Sequence, residues 1–358
     1  KVFAAIKSLS ITEVPLRDAL DRYAATDLFA TIAIPAFDNS AMDGYAVIAS
    51  SVAKSARLKV IGEQPAGVSK NLCLSPGEAI RIFTGAPMPA GADAVVMQEE
   101  TEREGDSVLI RCKQILPGDF VRKAAADLAA GQQILRRGDR LRPASLGELA
   151  KPGQQPRVGE IFDSNEVMIT SLAASAGANV TMRRHCADNF DMLCTTLQDA
   201  AQNDAIIISG GVSVGERDLV RAALRETGAE IDLWRVAVKP GKPFLFGKRD
   251  QCLIFGLPGN PVSAFVTFLI FVRPALLRTM CATDLSLRGT KARLTREIEG
   301  DETRPHYLRG ELADGLFRVI GRQESHALFG LARANALLRV KPKEKFAAGN
   351  EVDVLLID

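Results

Sequence analysis

The spacing of apolar residues changes repeatedly along the chain, and each change marks a different kind of element. Between Val14 and Phe29 apolar residues recur at helical intervals (Leu16, Ala19, Leu20, Tyr23, Ala24), with Pro15 suited to a first turn, so the spacing predicts a helix. From Leu58 to Gly138 the texture becomes short alternating or apolar runs: Lys59 to Gly62, Ala79 to Thr84, Ala94 to Gln98 and Val108 to Cys112. Gly, Pro and Asp separate them, the signature of a small β-rich module. Leu141 to Leu149 predicts a short return helix. Gly159 to Leu277 then reads helix, strand, helix, strand, helix, which predicts an α/β domain. After Ala282, β-like runs at Lys291 to Ile298, Tyr307 to Leu312, Leu316 to Ile320 and Leu337 to Val340, closed by Val352 to Ile357, predict a compact C-terminal β domain.

One joint does not fit this pattern. An α/β domain of this kind needs a first strand with a ligand loop at its end, and none stands between Ala150 and Lys151. We expect that a strand and loop are skipped there. The alternative is a true deletion, which would remove a central strand.

Length and charge narrow the picture. The 358 residues exceed one ordinary core, so two to four modules are expected. Lys and Arg number 45 against 43 Asp and Glu, for a net charge of +2, without the basic excess of a nucleic-acid protein. Cys73, Cys112, Cys186, Cys194, Cys252 and Cys281 form no CxxC or other ligand spacing, and reduced thiols in a cytoplasmic protein are the expectation. The longest apolar run, Ala264 to Val272, is interrupted by Thr267 and falls short of the ~20 residues of a membrane span, so no membrane role is expected. The chain opens without methionine or a signal-peptide pattern, which reads as trimming to an ordered part.

Candidate chemistry concentrates between Ser209 and Ser263. Ser209-Gly210-Gly211-Val212-Ser213-Val214-Gly215 follows the buried run Ala205 to Ile208 and precedes a helical stretch that Asp218 enters. Leu257-Pro258-Gly259-Asn260-Pro261-Val262-Ser263 follows Cys252 to Phe255, and Lys239-Pro240-Gly241-Lys242-Pro243 lies between the two. Turns at the carboxyl ends of parallel strands bind ligands in open α/β sheets, and helix N-termini favour anions. The glycines would let backbone amides converge on anionic oxygens, although glycines equally serve tight strand-to-helix turns. Asp218 likewise suits the first helical turn without any ligand. Asn260 and Pro261 read as N-cap and first helical position, with Ser263 in the first turn. Lys239 and Lys242, held by Pro240, Gly241 and Pro243, are spaced to clamp one anion from two sides. Together these elements point to a substrate rich in phosphate or oxyanion.

A further segment, Pro35-Ala36-Phe37-Asp38-Asn39-Ser40-Ala41-Met42-Asp43-Gly44-Tyr45-Ala46, is too polar for a strand and too irregular for a helix. It reads as a functional loop, or on composition alone as a turn-rich linker. Taken with Arg81-Ile82-Phe83-Thr84-Gly85-Ala86-Pro87-Met88-Pro89, with Gly91-Ala92-Asp93-Ala94-Val95-Val96 and with the segments above, it carries a resemblance. The chain resembles the molybdopterin molybdotransferase family, the bacterial MoeA enzymes whose homologues include the gephyrin E domain. The match runs in register from about Val14 to the C-terminus.

The resemblance implies a multidomain α/β plus β fold. An extended helical domain would take residues 1–50 and 139–150, an inserted β-rich domain 51–138, a central α/β molybdopterin-binding-like domain 151–284 and a C-terminal β barrel 285–358. It implies an enzyme that inserts molybdenum from molybdate into adenylylated molybdopterin, releasing AMP and forming molybdenum cofactor, with Mg²⁺. It also implies a homodimer, with the molybdopterin adenylyltransferase and downstream cofactor-receiving proteins as partners. Catalytic roles would fall to Asp43, Asp188, Asp218, Lys239 and Lys242. Thr84, Ser209, Gly210, Gly211, Ser213, Gly215, Pro258, Asn260 and Pro261 would bind the pterin substrate. Lys242, Pro243, Ser263, Arg309 and Ser325 would bind molybdate, and Asp188 and Asp218 the metal. Asn189 stands where the family usually has a second Asp, leaving one carboxylate in that turn. Asp127 matches a family acidic position, beside Ala125 where the family often has Gly. Asp43 and Thr84 belong to the N-terminal half, so their use at the same site would require the partner subunit. Two rival readings share parts of the pattern: an adenylyltransferase acting one step earlier, and a non-catalytic gephyrin-like scaffold. The N-terminal motifs and the C-terminal domain argue against the first, and the absence of an attached partner domain against the second.

Overall fold

The computed structural model describes residues 10–52, 56–67, 69–112, 114–149, 163–212 and 219–357. These divide into two compact units, one of Asp27–Arg136 and the other of residues 10–26, 137–149 and 163–357. The β-rich unit therefore starts well before the expected residue 51.

Its earlier start has a local cause in the Phe37 to Tyr45 stretch. Gly44–Val47 (β1) is a buried central strand, not the irregular loop the sequence suggested. It is joined in one six-stranded sheet by Arg57–Gln64 (β2), Glu78–Ile82 (β3), Ala94–Met97 (β4), Thr101–Glu104 (β5) and Ser107–Ile110 (β6), in the order β4-β1-β3-β2-β6-β5. All pairings are antiparallel except β2 with β3. Alternation along the strands supplies two cores, one per face. Tyr45, Val47, Ala79, Val96 and Val108 cluster on one, and Ala46, Ile80, Ile82 and Val95 on the other. Gly44 is needed for the pairing, since a Cβ there would sit 1.9 Å from the Val96 carbonyl oxygen.

The segment from Val14 to Phe29 departs from its helical periodicity. Only Leu16–Asp18 winds, as a single 3-10 turn, and Asp21 then takes a positive φ of 63°. The chain up to Ala24 pairs instead with the residues before the return helix: Asp21 N–H donates to Leu141 O (2.9 Å), Leu141 N–H to Arg22 O (2.8 Å) and Ala24 N–H to Asp139 O (2.9 Å). A partner of strong hydrogen-bonding geometry outcompetes a weak local propensity. The return helix itself forms as expected, over Pro143–Leu149 (α1).

The α/β region follows with helices Ser164–Ser175 (α2), Phe190–Ala200 (α3) and Leu219–Glu226 (α4). Its sheet contains Ala205–Ser209 (β7), Glu230–Trp234 (β8), Leu245–Arg249 (β9) and Cys252–Leu257 (β10), in the order β7-β10-β9-β8. β7 and β10 run parallel, while β9 and β8 add antiparallel beyond them. Among the described residues β7 has a single neighbour, and residues 178–187 form no strand. The expected extra strand at Ala150 and Lys151 falls outside the described residues.

From β10 the chain enters one continuous helical stretch: Pro261–Thr267 (α5), a wider π turn over Phe268–Val272, and Arg273–Thr279 (α6). Pro274 lacks the N–H that would continue the regular ladder, which fits a widened turn just before it. By length and composition alone Pro261–Thr279 would suffice to cross a membrane. It is instead the core helix of its unit, with Val262, Ala264, Phe265, Val266, Phe268, Leu269 and Val272 buried.

The C-terminal runs close into a barrel of Gly289–Leu294 (β11), His306–Ala313 (β12), Leu316–Val319 (β13), Ala336–Val340 (β14) and Glu351–Leu356 (β15), in the order β11-β13-β12-β14-β15. Leu308, Phe317, Leu338, Val340, Val352 and Val354 fill it. Gly310 admits the Phe317 ring, whose Cζ would be 2.3 Å from a Cβ.

In the β-rich unit, Ala125 holds a left-handed φ of 60°, which a glycine would adopt without strain. Its N–H donates to Pro35 O at 2.9 Å, which keeps the turn despite the strain. A left-handed alanine costs roughly 1–2 kcal/mol, partly offset by its lower unfolded-state entropy. Ala125→Gly should therefore stabilise the protein by up to about 1 kcal/mol, read as a higher denaturant midpoint. An unchanged or lower midpoint would show that the turn is unstrained.

Candidate functional site

Parallel pairing puts the turns after β7 and β10 side by side, with Ser209 in register with Leu257. The Gly210 N–H donates to Leu257 O (3.0 Å), so this amide, expected to face an anion, stitches the two turns together. Gly210 and Gly211 both adopt positive φ, 85° and 65°. Ser213, Gly215 and Asp218 lie outside the described residues.

A residue the sequence reading passed over joins these turns. Asn165 donates through Nδ2 to Ser209 Oγ (2.8 Å) and to Gly259 O (2.7 Å). It is buried, and its Oδ1 has no hydrogen-bond partner among the described residues. Asp163 sets its position as the N-cap of α2, accepting from Asn165 N and Glu166 N. The signal in the sequence was Asp163-Ser164-Asn165 itself, a polar cap before an apolar stretch.

Asn260 and Pro261 occupy the expected N-cap and first helical positions, yet the Asn260 side chain makes no cap bond. Its Nδ2 donates instead to Ser325 Oγ (2.9 Å), and Val262 N–H donates to Ser325 O (3.0 Å). The C-terminal loop carrying Ser325 is thereby tied to the Pro258 to Ser263 turn, where Pro258 and Ser263 are both buried. Arg309, which on sequence alone would be a surface residue, is 1% exposed. Its guanidinium donates to the carbonyls of Arg322 and Glu324, and its N–H donates to Gln323 Oε1 (2.9 Å). Arg309 thus holds the 322–325 loop in place by hydrogen bonds to its backbone carbonyls.

The Lys239 to Pro243 turn is held from both sides. Lys239 N–H donates to Pro305 O (2.9 Å) and its carbonyl accepts from Tyr307 N–H (2.8 Å). A Cβ on Gly241, at φ 125°, would approach Thr267 Cγ2 of α5 to 2.5 Å. The two lysines differ in a way their spacing did not show. Lys239 Nζ is 3.0 Å from Asp301 Oδ2, so it already has a carboxylate partner. Lys242 is exposed and makes no ion pair among the described residues. Backbone donation from Thr303 and then the Lys239 ammonium hold the Asp301 carboxyl well below the usual carboxylate range. Behind them His306 is buried, with no partner for Nε2 among the described residues. Burial, reinforced by the nearby Lys239 charge, pushes its pKa down to about 4.

Ser209, Asn260, Ser263, Arg309, Ser325 and the Lys239 to Pro243 turn are therefore linked within one compact unit. Hydroxyls, amides and an available ammonium gathered in this way can hold an oxyanion by charge-assisted hydrogen bonds. The other unit contains Asp43, whose Oδ1 accepts from Thr84 N–H and Thr84 Oγ1, both at 2.8 Å. Here too the structure joins residues far apart in sequence. Asp188 is exposed, and its neighbour Asn189 caps α3 by accepting from Met192 N–H (2.9 Å). Among the described residues no group of three or more His, Cys, Asp or Glu is placed to hold a metal.

The Lys239, Asp301 and His306 cluster predicts a pH signature. The folded chain resists protonating His306 down to about pH 4, whereas the ordinary value is 6.5. The unfolded chain binds the extra proton in that window, so stability is complete above pH 6.5 and falls as pH drops toward 4, by up to about 3 kcal/mol. The Asp301 contribution is lost only lower, below its ordinary 3.8. Urea midpoints measured from pH 7 to pH 4.5 should decline, and His306→Gln should flatten the decline. An identical slope in the variant would exclude His306 as its source.

Comparison with known proteins accords with this geometry. The chain matches the MoeA N-terminal region (domain I and II) over residues 1–153, a probable molybdopterin binding domain over 128–278 and the MoeA C-terminal region (domain IV) over 291–357. A molybdopterin molybdenumtransferase of Nostoc sp. is 36% identical, covering 96% of this chain and 88% of that protein. Molybdopterin molybdenumtransferase 2 of Mycobacterium tuberculosis is 35% identical, covering 95% and 94%. The solved structure of a molybdopterin biosynthesis MoeA protein from Pyrococcus horikosii gives a TM-score of 0.51 at 30% identity, over 96% of this chain and 93% of that one. With three matching regions in order and such relatives along nearly its whole length, the chain belongs to the MoeA family of molybdopterin molybdenumtransferases.

Proposed function

We propose that this protein inserts molybdenum from molybdate into adenylylated molybdopterin, releasing AMP and forming molybdenum cofactor. The observation that carries this is the linkage of the Pro258 to Ser263 turn with Ser325 and with the loop held by Arg309, beside an unpaired-in-charge Lys242. A compact tetrahedral dianion is met best by a cation with hydroxyl and amide donors, which Lys242, Ser263 and Ser325 supply. Arg309 acts through the loop whose carbonyls it holds, and Lys239 is balanced by Asp301. The turn of Ser209 to Gly211, braced by Asn165, suits the phosphate-bearing pterin substrate. Magnesium enters this reading only as a counter-ion brought by substrate phosphates, with Asp188 and Asp218 as its carboxylates. We place the reaction in the cytoplasm, where the cysteine usage fits.

Incubation with adenylylated molybdopterin, molybdate and Mg²⁺ should release AMP only when molybdate is present. Losing a charge-assisted contact costs ~1.5–3 kcal/mol, so Lys242→Met should raise the molybdate needed for half-maximal release about ten- to a hundredfold. AMP release independent of molybdate would overturn the reading in favour of an adenylate-hydrolysing activity.

The family resemblance also leads us to propose a homodimer. Asp43 and Thr84 belong to a different compact unit from Lys242. Mixing inactive Asp43→Ala protein with inactive Lys242→Met protein should restore activity after subunit exchange. Failure to recover activity despite demonstrated exchange would mean that each chain works alone.

A further inference from the structure

At the edge of the α/β sheet, where β8 ends, two arginines converge on one indole. Trp234 ends β8, the edge strand, and its Nε1–H donates to Val212 O at 3.2 Å. The Arg221 guanidinium carbon, from α4, stands 3.7 Å from the Trp234 ring centroid. That of Arg235, the next residue after β8, stands 4.4 Å from it. The indole is thus fastened to the end of the Ser209 to Val212 turn and carries two guanidinium groups.

Nothing among the described residues neutralises this pair. Arg57, Arg111 and Arg140 each meet a carboxylate, on Glu104, Glu102 and Asp21. Arg221 and Arg235 form no such ion pair, and Arg221 Nε is buried without an acceptor. Arg235 is moreover held at a φ of 72°, a conformation that a side-chain-bearing residue seldom adopts. Stacking on the ring faces offsets part of the mutual repulsion of two like charges. Among the described residues no acceptor is directed at the planar N–H edges of either group. Those edges match the spacing of phosphate oxygens, which arginine engages in bidentate fashion.

We propose that Arg221, Arg235 and Trp234 form an anion subsite that binds a phosphate group of the substrate, next to the Ser209 to Val212 turn. Two cationic forks call for a group with several charged oxygens, so a phosphate monoester or a diphosphate is the ligand class. The identity of the bound molecule as the adenylylated pterin rests on the function proposed above. The capacity to bind phosphate does not.

Trp234 is the one tryptophan in the chain, so it reports its own ligand. Pyrophosphate, AMP, inorganic phosphate and molybdate would be titrated against Trp234 fluorescence of the whole protein at constant ionic strength. Pyrophosphate and AMP should change the emission saturably, with molybdate at least tenfold weaker. Arg221→Gln and Arg235→Gln should each weaken pyrophosphate at least tenfold, and equilibrium dialysis with labelled pyrophosphate should give the same ratio where a variant alters the emission directly. Lys291→Met, which removes a barrel ion pair with Asp353, should leave pyrophosphate affinity within twofold. No saturable binding, or equal affinity in wild type and both arginine variants, would overturn the subsite and leave a surface stack. If the arginines govern pyrophosphate binding while AMP release proves independent of molybdate, the subsite stands and the proposed function falls. The converse result separates the two in the other direction.

Discussion

The parallel pairing of Ala205–Ser209 with Cys252–Leu257 is the constraint on which the site depends. Two strands running the same way must deliver their following turns to the same end of the sheet. Side chains on other elements then have a fixed pair of turns to grip. Asn165 spans them with a two-pronged amide, and the Gly210 amide closes the seam. Because β9 and β8 add antiparallel, the Trp234 end of the sheet returns to the same neighbourhood and hangs its indole on Val212. A break in the β7 and β10 register would scatter all of these groups together.

The barrel acts on this arrangement through a few polar ties. Strand β12 carries His306 at its start and Arg309 three residues on, so the two point to opposite faces of the strand. His306 backs the Lys239 turn, while Arg309 collects the carbonyls of the 322–325 loop. Asn260 gives up its helix-capping role to hold Ser325, a small local cost in helix energy of roughly 0.5–2 kcal/mol. Local rules are commonly broken where a site is assembled, and the breach here falls on a residue the site uses.

Charge is distributed with similar economy. Asp301 balances Lys239, while Lys242 meets no carboxylate among the described residues, so of two neighbouring lysines one is paired and the other is open to an anion. The buried, neutral His306 adds no further positive charge at ordinary pH, because protonating it beside Lys239 would cost both desolvation and repulsion. Arg221 and Arg235, stacked on Trp234 at the edge strand, likewise meet no carboxylate among the described residues.

Much of this was legible in the residues themselves. The strands at Lys59, Ala79, Ala94 and Val108, the return helix before Leu149 and the C-terminal β runs all follow from apolar periodicity, which records directly which face of an element is buried. The Gly-rich and Pro-rich turns were legible as turns, because such residues mark unusual backbone angles wherever they occur. Other features existed only once the chain had folded. The helical spacing of Val14 to Phe29 yields to backbone pairing with Asp139 and Leu141, a long-range competitor that a local pattern cannot register. Gly44 to Val47 looked irregular because its glycine answers to Val96, a residue more than fifty positions away. Asn165, the division of labour between Lys239 and Lys242, the burial of Arg309 and the stack on Trp234 are all meetings of distant segments. Residue types and their spacing along the chain determine which chemistry is present; which groups are paired, and which are left available to a ligand, is settled only by contacts that tertiary packing creates.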